Sequence, residues 1–144
     1  STDIICGFCG ENDEDFAETY RLVEEARFHS AFIFKYSERK NTIAARKFPD
    51  DVPESVKTER VTRLFDLQRN ISYERNREYL KTTIPVLVEG NAKRSAEQGM
   101  GKSDGNITVI WDKRTISTRP GDIISLAVYD ASSTTLYAEL PPVN

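Results

Sequence analysis

Five basic or amide side chains lie in or beside the connections between predicted strands in the second half of the chain. Apolar strand patterns occupy residues 84–88 and 107–111, and a Gly-rich connector separates them. Cations and amides held at fixed places between strands suit a polyanion such as RNA. We therefore identify these side chains as candidate RNA-binding residues, and ordinary solvated loop charge is the alternative for each of them. They are Lys93, Arg94, Lys102, Asn106 and Arg119.

The two cysteines, Cys6 and Cys9, have the C-x-x-C spacing of redox and metal sites. A zinc site needs three or four ligands and the chain has a single histidine, His29, while an iron–sulfur cluster of the usual kind needs at least three thiolates. The pattern favours a small buried Cys6 and a turn residue Cys9. We predict no metal site and no catalytic triad in this chain.

Charge is unevenly distributed along the 144 residues, whose net charge is -3. Residues 1–30 carry eight acids and two bases, whereas residues 81–119 carry seven bases and four acids. A local basic surface on an acidic chain indicates a positioned nucleic-acid contact rather than general attraction. No apolar run approaches the roughly 20 residues of a membrane helix. We expect a cytoplasmic protein without a membrane contact, because two cysteines do not form a disulfide framework.

The first half of the chain has the pattern of an α/β unit. Residues 3–6 predict a short strand, residues from Asn12 or Asp13 to about Phe28 an amphipathic helix, and residues 31–36 a second strand. An irregular polar loop is predicted over residues 37–51.

A long charged helix follows from Pro53 to about Tyr79. Its composition is typical of a solvated connector that packs along one apolar stripe. The apolar side consists of Val56, Leu64, Leu67 and Ile71, and is widened by Val61 and Phe65.

From residue 81 the apolar period changes to two. Strands are predicted at residues 84–88, 107–111, 122–129 and 134–140, with turns between them. Such spacing predicts a small antiparallel β-barrel, in which Trp111 and Tyr137 either stack on bases or, as the size of the barrel favours, belong to the core. The fold class is therefore α+β, with segments 1–52, 53–80 and 81–144.

Three motifs in order carry a family resemblance. They are DIICGFCGE at residues 3–11, YSERKNTIAA at residues 36–45, and LVEG at 87–90 followed by a Lys-Arg pair, a Gly-Lys step and Gly-Asn before a strand. Together they resemble the end of the radical-SAM core and the TRAM domain of MiaB-type tRNA methylthiotransferases. The second motif departs from the family's YSPRPGTPAA at Glu38, Lys40, Asn41 and Ile43.

The resemblance implies positions for functional residues. It places the first motif beside S-adenosylmethionine, with Gly7 and Gly10 allowing a ligand to approach the backbone and Ile5 contacting adenine. A plain strand-to-helix turn and a surface ion pair of Arg39 are the alternatives. The implied cofactor-side residues are Asp3, Ile5, Gly7, Gly10, Glu11 and Arg39.

The resemblance also implies a function. The family adds a methylthio group to isopentenyl-adenosine beside the tRNA anticodon, using S-adenosylmethionine and two 4Fe-4S clusters. Residue 1 is Ser and a strand pattern starts at once, so we expect this chain to be the C-terminal part of a longer enzyme, with the OB-like TRAM barrel at its end. We expect this part to be inactive alone and to have no bound clusters. Its partner is tRNA, and exposed strand edges favour dimerisation. A non-catalytic RNA-binding module and a sister enzyme acting on a ribosomal protein are the alternatives.

Overall fold

A computed structural model describes residues 1–92 and 95–142 and divides the chain into two compact units, residues 1–72 and 73–144. Unit 1 contains strand β1 (Thr2–Cys6), helix α1 (Asp13–Ala26), strand β2 (Ala31–Lys35), helix α2 (Ile43–Lys47) and most of helix α3 (Glu54–Arg77), whose last residues belong to unit 2. The predicted strand–helix–strand order is confirmed. β1 and β2 pair in parallel, as a short strand–helix–strand connection favours.

Helix α1 begins where its sequence predicts. The Asn12 side chain accepts hydrogen bonds from the backbone N–H groups of Glu14 and Asp15, and the Asp15 side chain accepts one from the Asn12 N–H. This reciprocal capping satisfies N–H groups that would otherwise lack partners in the first turn. Arg27, with a φ of 48°, ends the helix.

The core of unit 1 lies between the two-stranded sheet and helices α1 and α3. Strand side chains alternate between faces, so that one face of the sheet contributes Ile4, Cys6 and Ile33 to this core while the other face is exposed. The sheet therefore buries one apolar face and leaves another apolar face open. The buried members of the core are Cys6, Phe16, Val23, Ile33, Leu64 and Ile71.

Helix α3 differs from its prediction in which residues it buries. Leu64 and Ile71 are buried as expected, but Phe65 is half exposed. Polar and charged side chains lie on the same side of the helix as Leu64 and Ile71, at spacings of three or four residues. The buried face of α3 is therefore partly polar. These side chains are Lys57, Arg60, Gln68, Ser72 and Asn76.

The predicted irregular loop over residues 37–51 is wrong in its centre, where α2 forms. The Thr42 side chain caps α2 by accepting a hydrogen bond from the Ala45 N–H at 3.2 Å. The Thr42 hydroxyl also donates to the Arg39 carbonyl at 2.8 Å. The three residues after the cap are Ile or Ala, so a short turn of helix costs little here.

Unit 2 contains a closed five-stranded barrel. Its strands are β3 (Thr83–Ala92), β4 (Ser95–Ser103), β5 (Thr108–Asp112), β6 (Ile123–Ala131) and β7 (Thr135–Glu139), in the spatial order β3-β4-β5-β7-β6 with β6 paired back to β3. The prediction of an antiparallel barrel needs one correction, because β5 and β7 run parallel. The other four pairings are antiparallel.

Strand β4 occupies the segment for which the sequence predicts a Gly-rich connector, so that prediction is wrong. Glycines at 99 and 101 are needed because neighbouring groups occupy the space of a side chain. A Cβ at Gly99 would lie 2.2 Å from the Trp111 ring, and one at Gly101 would lie 2.3 Å from the Leu87 carbonyl oxygen. Trp111 is 1% exposed, which confirms the core alternative for this residue.

The barrel core is built mainly from valines and leucines around Trp111. Val86, Val109, Leu126 and Leu136 are fully buried. Each alternates with less buried neighbours along its strand, as the period of two predicts. Across the described part of the chain, no helix combines the length and apolar character needed to cross a membrane.

We expect Gly99→Ala to lower the free energy of unfolding of the barrel by about 1–3 kcal/mol, because the new methyl group overlaps the Trp111 ring. Urea unfolding followed by Trp111 fluorescence measures this. Gly105→Ala is the control, since its nearest neighbour, the Tyr79 hydroxyl, lies 3.4 Å away. Equal stability of the two variants would contradict the packing described.

Candidate functional site

The β1–α1 turn, residues 6–11, holds three of the six cofactor-side candidates. Gly7 and Gly10 have φ values of 74° and 81°, which favour glycine. The Gly7 N–H donates to Glu11 Oε2 at 2.9 Å, and the Gly10 N–H donates to Asp51 Oδ1 at 2.7 Å. Both amide groups are therefore bonded within unit 1.

Helix α3 holds this turn with a buried lysine. A Cβ at Gly7 would lie 2.4 Å from Lys57 Cγ, so the close approach that this glycine permits is made by the lysine stem. The Lys57 ammonium donates to Asp50 Oδ1 at 2.5 Å and to the Tyr36 carbonyl at 3.5 Å. Its charge is thus compensated although its side chain is 3% exposed.

A buried arginine, Arg60, fixes the other end of the turn. Its Nη1 donates to Glu11 Oε1 at 2.7 Å, and its Nη2 donates to Asp13 Oδ1 at 2.8 Å. Burial opposes the charge, but the bond to Asp13 and the charge and bond of Glu11 outweigh burial and raise the pKa of the Arg60 guanidinium. The Glu11 carboxylate consequently holds both the Gly7 amide and Arg60.

Asp3 and Ile5 lie together on the open face of the two-stranded sheet. The parallel register places Asp3 beside Phe32 and Ile5 beside Phe34. Ile5, Phe32 and Phe34 are 59%, 62% and 54% exposed. This face has the apolar character of a wall that contacts a ligand or another packed layer.

Arg39 lies in the segment between β2 and α2, and its side chain is exposed. Its carbonyl accepts the bonds that begin α2. Within residues 1–92 and 95–142 its guanidinium has no ion-pair partner, so the surface-pair alternative is not seen there.

The RNA-binding candidates occupy different parts of the barrel. Lys93 and Arg94 lie outside the described residues. The other three are separated between two connections, with Lys102 and Asn106 at the β4–β5 hairpin and Arg119 in the β5–β6 connection. The structure therefore groups only part of the predicted set.

Lys102 and Asn106 lie together at the β4–β5 hairpin, where one hydrogen bond to the Asn106 backbone joins them. Lys102 is half buried, and its ammonium donates to Thr108 Oγ1 at 3.0 Å and to the Asn106 carbonyl at 3.5 Å. The Arg119 backbone N–H donates instead to Asp122 Oδ2 at 2.8 Å, which orders the turn before β6.

A cleft of ≈ 210 Å³ opens on the barrel beside the end of β3. The Lys113 ammonium donates to Asn91 Oδ1 at 2.7 Å and has no carboxylate partner among the described residues. A cation in a cleft beside the end of β3 makes Lys113 a further candidate for contact with RNA. The lining is mixed apolar and polar, formed by Val88, Gly90, Asn91, Lys113, Thr118 and Pro120.

The basic side chains of the barrel differ in how well they are suited to bind phosphate. Arg114 is paired with Asp112 through several hydrogen bonds. Those bonds, from the side chain and then the backbone of Arg114, lower the pKa of the Asp112 carboxyl to about 2. Arg114 is thus neutralised locally, in contrast to Lys102 and Lys113.

Sequence reasoning misses the residues of α3 that hold the β1–α1 turn. The sequence predicts Lys57 and Arg60 to be solvated charge, although they lie seven and four residues before Leu64 on the same side of the helix. That spacing is the signal from which their burial follows. Lys113 is one of the seven bases in residues 81–119, but the sequence does not indicate it as an RNA-binding candidate, because only the fold places it in a cleft.

We expect Arg60→Met to destabilise unit 1 by about 3–5 kcal/mol, because it leaves the Glu11 carboxylate buried without its partner. Glu11→Gln in the same chain should recover most of this loss, as measured by urea unfolding. Arg69→Met, which removes an exposed pair with Asp66, is the control and should cost about 1 kcal/mol or less. Additive losses in the double variant would contradict the pairing.

The Cys6 thiol predicts a dependence of stability on pH. Burial, and then the charge of Glu11, raise its pKa from 9.0 to about 11. The thiol of the unfolded chain therefore ionises first, so its contribution to stability is present below about pH 9 and is lost as the pH rises through about 11. Denaturant unfolding at several pH values should show a shallower decline for Cys6→Ala than for the parent. Parallel declines would contradict the assignment.

Comparison with known proteins finds no matching family model. The chain is 48% identical over 140 residues, 97% of its length, to the tRNA-2-methylthio-N(6)-dimethylallyladenosine synthase of Porphyromonas gingivalis. It is 46% identical over 94% of its length to the protein of that name from Chlorobium limicola, and 44% identical over 96% to that from Parabacteroides distasonis.

The chain spans about 30% of the length of each of these three relatives. The family resemblance stated from the three motifs is confirmed by identities of this size over almost every residue. This chain is therefore similar, along nearly its whole length, to one segment of the tRNA-2-methylthio-N(6)-dimethylallyladenosine synthases.

Proposed function

We propose that this chain is the C-terminal part of a radical-SAM tRNA methylthiotransferase that modifies isopentenyl-adenosine beside the anticodon. The observation that carries the proposal is the 48% identity over 97% of the chain to a synthase so named. The relatives' names concern tRNA, and this favours the tRNA enzyme over a sister enzyme acting on a ribosomal protein. In this proposal the protein works in the cytoplasm.

The barrel supports a role in RNA binding. Its closed order β3-β4-β5-β7-β6, with a single parallel pair, is compatible with the OB-like TRAM domain, and OB folds bind oligonucleotides on the face of their second and third strands and in nearby loops. Lys102 and Asn106 lie where the second and third strands of this barrel are joined. The proposal assigns residues 1–52, 53–80 and 81–144 to the end of the radical-SAM core, a connecting helix and the TRAM barrel.

Unit 1 supports a place beside S-adenosylmethionine. Asp3, Ile5 and Arg39 are exposed and would contact this cofactor. The other three cofactor-side candidates, Gly7, Gly10 and Glu11, shape the β1–α1 turn through bonds within unit 1. The open apolar face of the two-stranded sheet would form part of the wall of a larger barrel completed by other segments. S-adenosylmethionine supplies the radical and transfer chemistry in the family.

The described residues do not fit a 4Fe-4S cluster. No group of three or more His, Cys, Asp and Glu side chains is arranged to hold a metal ion within residues 1–92 and 95–142. Cys6 is buried in the core, and the Cys9 thiol lies 3.8 Å from the Phe48 carbonyl oxygen. The proposal therefore assigns both clusters to residues outside this chain.

The proposal predicts salt-dependent binding of tRNA by this chain. Lys93→Ala with Arg94→Ala should weaken binding and make the dependence of log affinity on log salt shallower by about 1.4–1.8, because two phosphate contacts are lost. Fluorescence anisotropy with a labelled tRNA transcript at several salt concentrations measures this. The control is Arg21→Ala with Arg69→Ala, which removes the same charge from helical ion pairs.

An unchanged slope for Lys93→Ala with Arg94→Ala would remove these two residues from the interface. The enzyme assignment has its own test, which is the gene sequence upstream of the codon for Ser1. We expect the same reading frame to encode a C-x-x-x-C-x-x-C motif there. A reading frame without such cysteines would instead favour a non-catalytic RNA-binding module.

A further inference from the structure

Unit 1 carries a basic segment that the sequence motifs do not assign to RNA. Residues 39–48 contain four bases and no acid, in a chain whose net charge is -3. Three acids flank the segment, Glu38 before it and Asp50 and Asp51 after it. Asp50 is neutralised by Lys57, whereas Asp51 accepts the Gly10 N–H and keeps its charge. The four bases outnumber the two remaining acids, so the segment keeps a positive potential.

All four bases are exposed and have no ion-pair partner among the described residues. Arg39 is already a cofactor-side candidate, which leaves Lys40, Arg46 and Lys47. Unpaired cations grouped in one short segment are typical of a surface that binds an anionic partner. Several other exposed bases of unit 1 differ in this respect, because each has a carboxylate partner. These pairs are Arg21 with Glu18, Lys35 with Glu54, Arg63 with Glu59, and Arg69 with Asp66.

The segment is held in place rather than left as a free loop. The Thr42 hydroxyl bonds to Arg39 and Ala45 at the start of α2, and the Phe48 N–H donates to the Ala44 carbonyl at its end. A helix of five residues is about 7.5 Å long. The cations before α2 and near its end are therefore close enough to contact neighbouring phosphates of one strand.

Two exposed aromatic rings lie at the end of this segment, since Phe48 directly follows Lys47 and Phe8 packs against Phe48. Phe48 is 49% exposed and Phe8 is 43% exposed, and their ring centroids lie 6.5 Å apart. Exposed rings beside unpaired cations are the elements with which proteins bind single-stranded nucleic acid, because rings stack on bases while cations contact the backbone.

The helix dipole explains part of this pattern but not all of it. Arg46 and Lys47 lie in the last turn of α2, where positive charge is favourable. Lys40 precedes the helix, where the dipole does not favour a cation. Nor does a dipole account for the exposed rings of Phe8 and Phe48.

We propose that Lys40, Arg46, Lys47, Phe8 and Phe48 form a second RNA-binding surface, the α2 surface, which contacts a single-stranded part of the RNA. This surface lies wholly in unit 1. The inference rests on the proposed function for the identity of the RNA as tRNA. Phosphates bind the three cations, and one unstacked base packs on the rings.

The test compares two double variants of equal charge. The test variant is Arg46→Ala with Lys47→Ala, which removes two unpaired cations from the α2 surface. The control is Arg21→Ala with Arg69→Ala, which removes two paired cations from helices of the same unit. Each pair of substitutions removes two positive charges, so that both variants have a net charge of -5 where the parent has -3.

Binding of a labelled tRNA anticodon stem-loop transcript is measured by fluorescence anisotropy at several salt concentrations, after thermal unfolding has shown that both variants remain folded. The test variant should bind more weakly, with a salt slope shallower by about 1.4, the value for two phosphates of a single strand. The control should keep the parent's slope. Equal slopes for test variant and control would overturn the proposal.

Phe48→Leu tests the aromatic part separately. Stacking contributes little to the salt slope, so this variant should lose roughly fivefold or more in affinity while its slope stays that of the parent. Parent-like affinity would remove the ring from the surface.

The α2 surface and the proposed function fail in different ways. If Arg46→Ala with Lys47→Ala has no effect while Lys93→Ala with Arg94→Ala weakens binding, the α2 surface is wrong and the proposed function stands. If the unaltered chain does not bind the transcript, the α2 surface and the RNA-binding role of the barrel are both wrong, while the enzyme assignment still depends on the upstream reading frame.

Discussion

The buried polar face of helix α3 is the constraint on which the rest of unit 1 depends. A polar group taken out of water must find a partner or cost about 1–3 kcal/mol. The Lys57 side chain binds the Tyr36 carbonyl, and further along the helix Gln68 and Ser72 bind the carbonyls of residues 28 and 29. These carbonyls lie just after β2 and α1, so the bonds fix the position of the helix along its axis.

The same constraint shapes the part of the molecule proposed to lie beside S-adenosylmethionine. Lys57 and Arg60 hold the β1–α1 turn from the helix side, through Gly7 and Glu11. The turn is therefore held by bonds within unit 1 alone. Because the helices cover one face of the two-stranded sheet, the opposite face with Ile5 stays open. A preformed turn beside an open apolar face suits a cofactor wall that other segments complete.

Much of the fold follows from local sequence rules, and the exceptions have physical causes. A cap at Asn12 or Asp13 predicts α1, and the alternation around Val86 predicts the first half of β3, which continues to Ala92. The sequence does not predict strand β4, because its glycines lower the propensity to form a strand. Glycine is required at residues 99 and 101 because the Trp111 ring and the backbone of β3 leave no room for a side chain. The sequence does not predict the burial of Lys57 and Arg60, because a charged side chain is usually exposed to water unless the fold gives it a partner.

Some candidate site residues are likewise predicted by the sequence, whereas others are grouped only by the fold. Motifs predict Lys102 and Asn106, which the fold brings together. The sequence does not show that Lys113 lies in a cleft, because the barrel places it there. Nor does it show that Phe8 and Phe48 are close together, because they are far apart along the chain. On an acidic chain these local groupings, rather than net charge, determine where RNA would bind.

The most direct test of the account is ultraviolet crosslinking of this chain to tRNA, with the crosslinked peptides identified by mass spectrometry. We expect crosslinks in the barrel around residues 87–106 and at residues 40–48 of unit 1. Crosslinks confined to the acidic helix α1, or none in either predicted segment, would contradict this expectation.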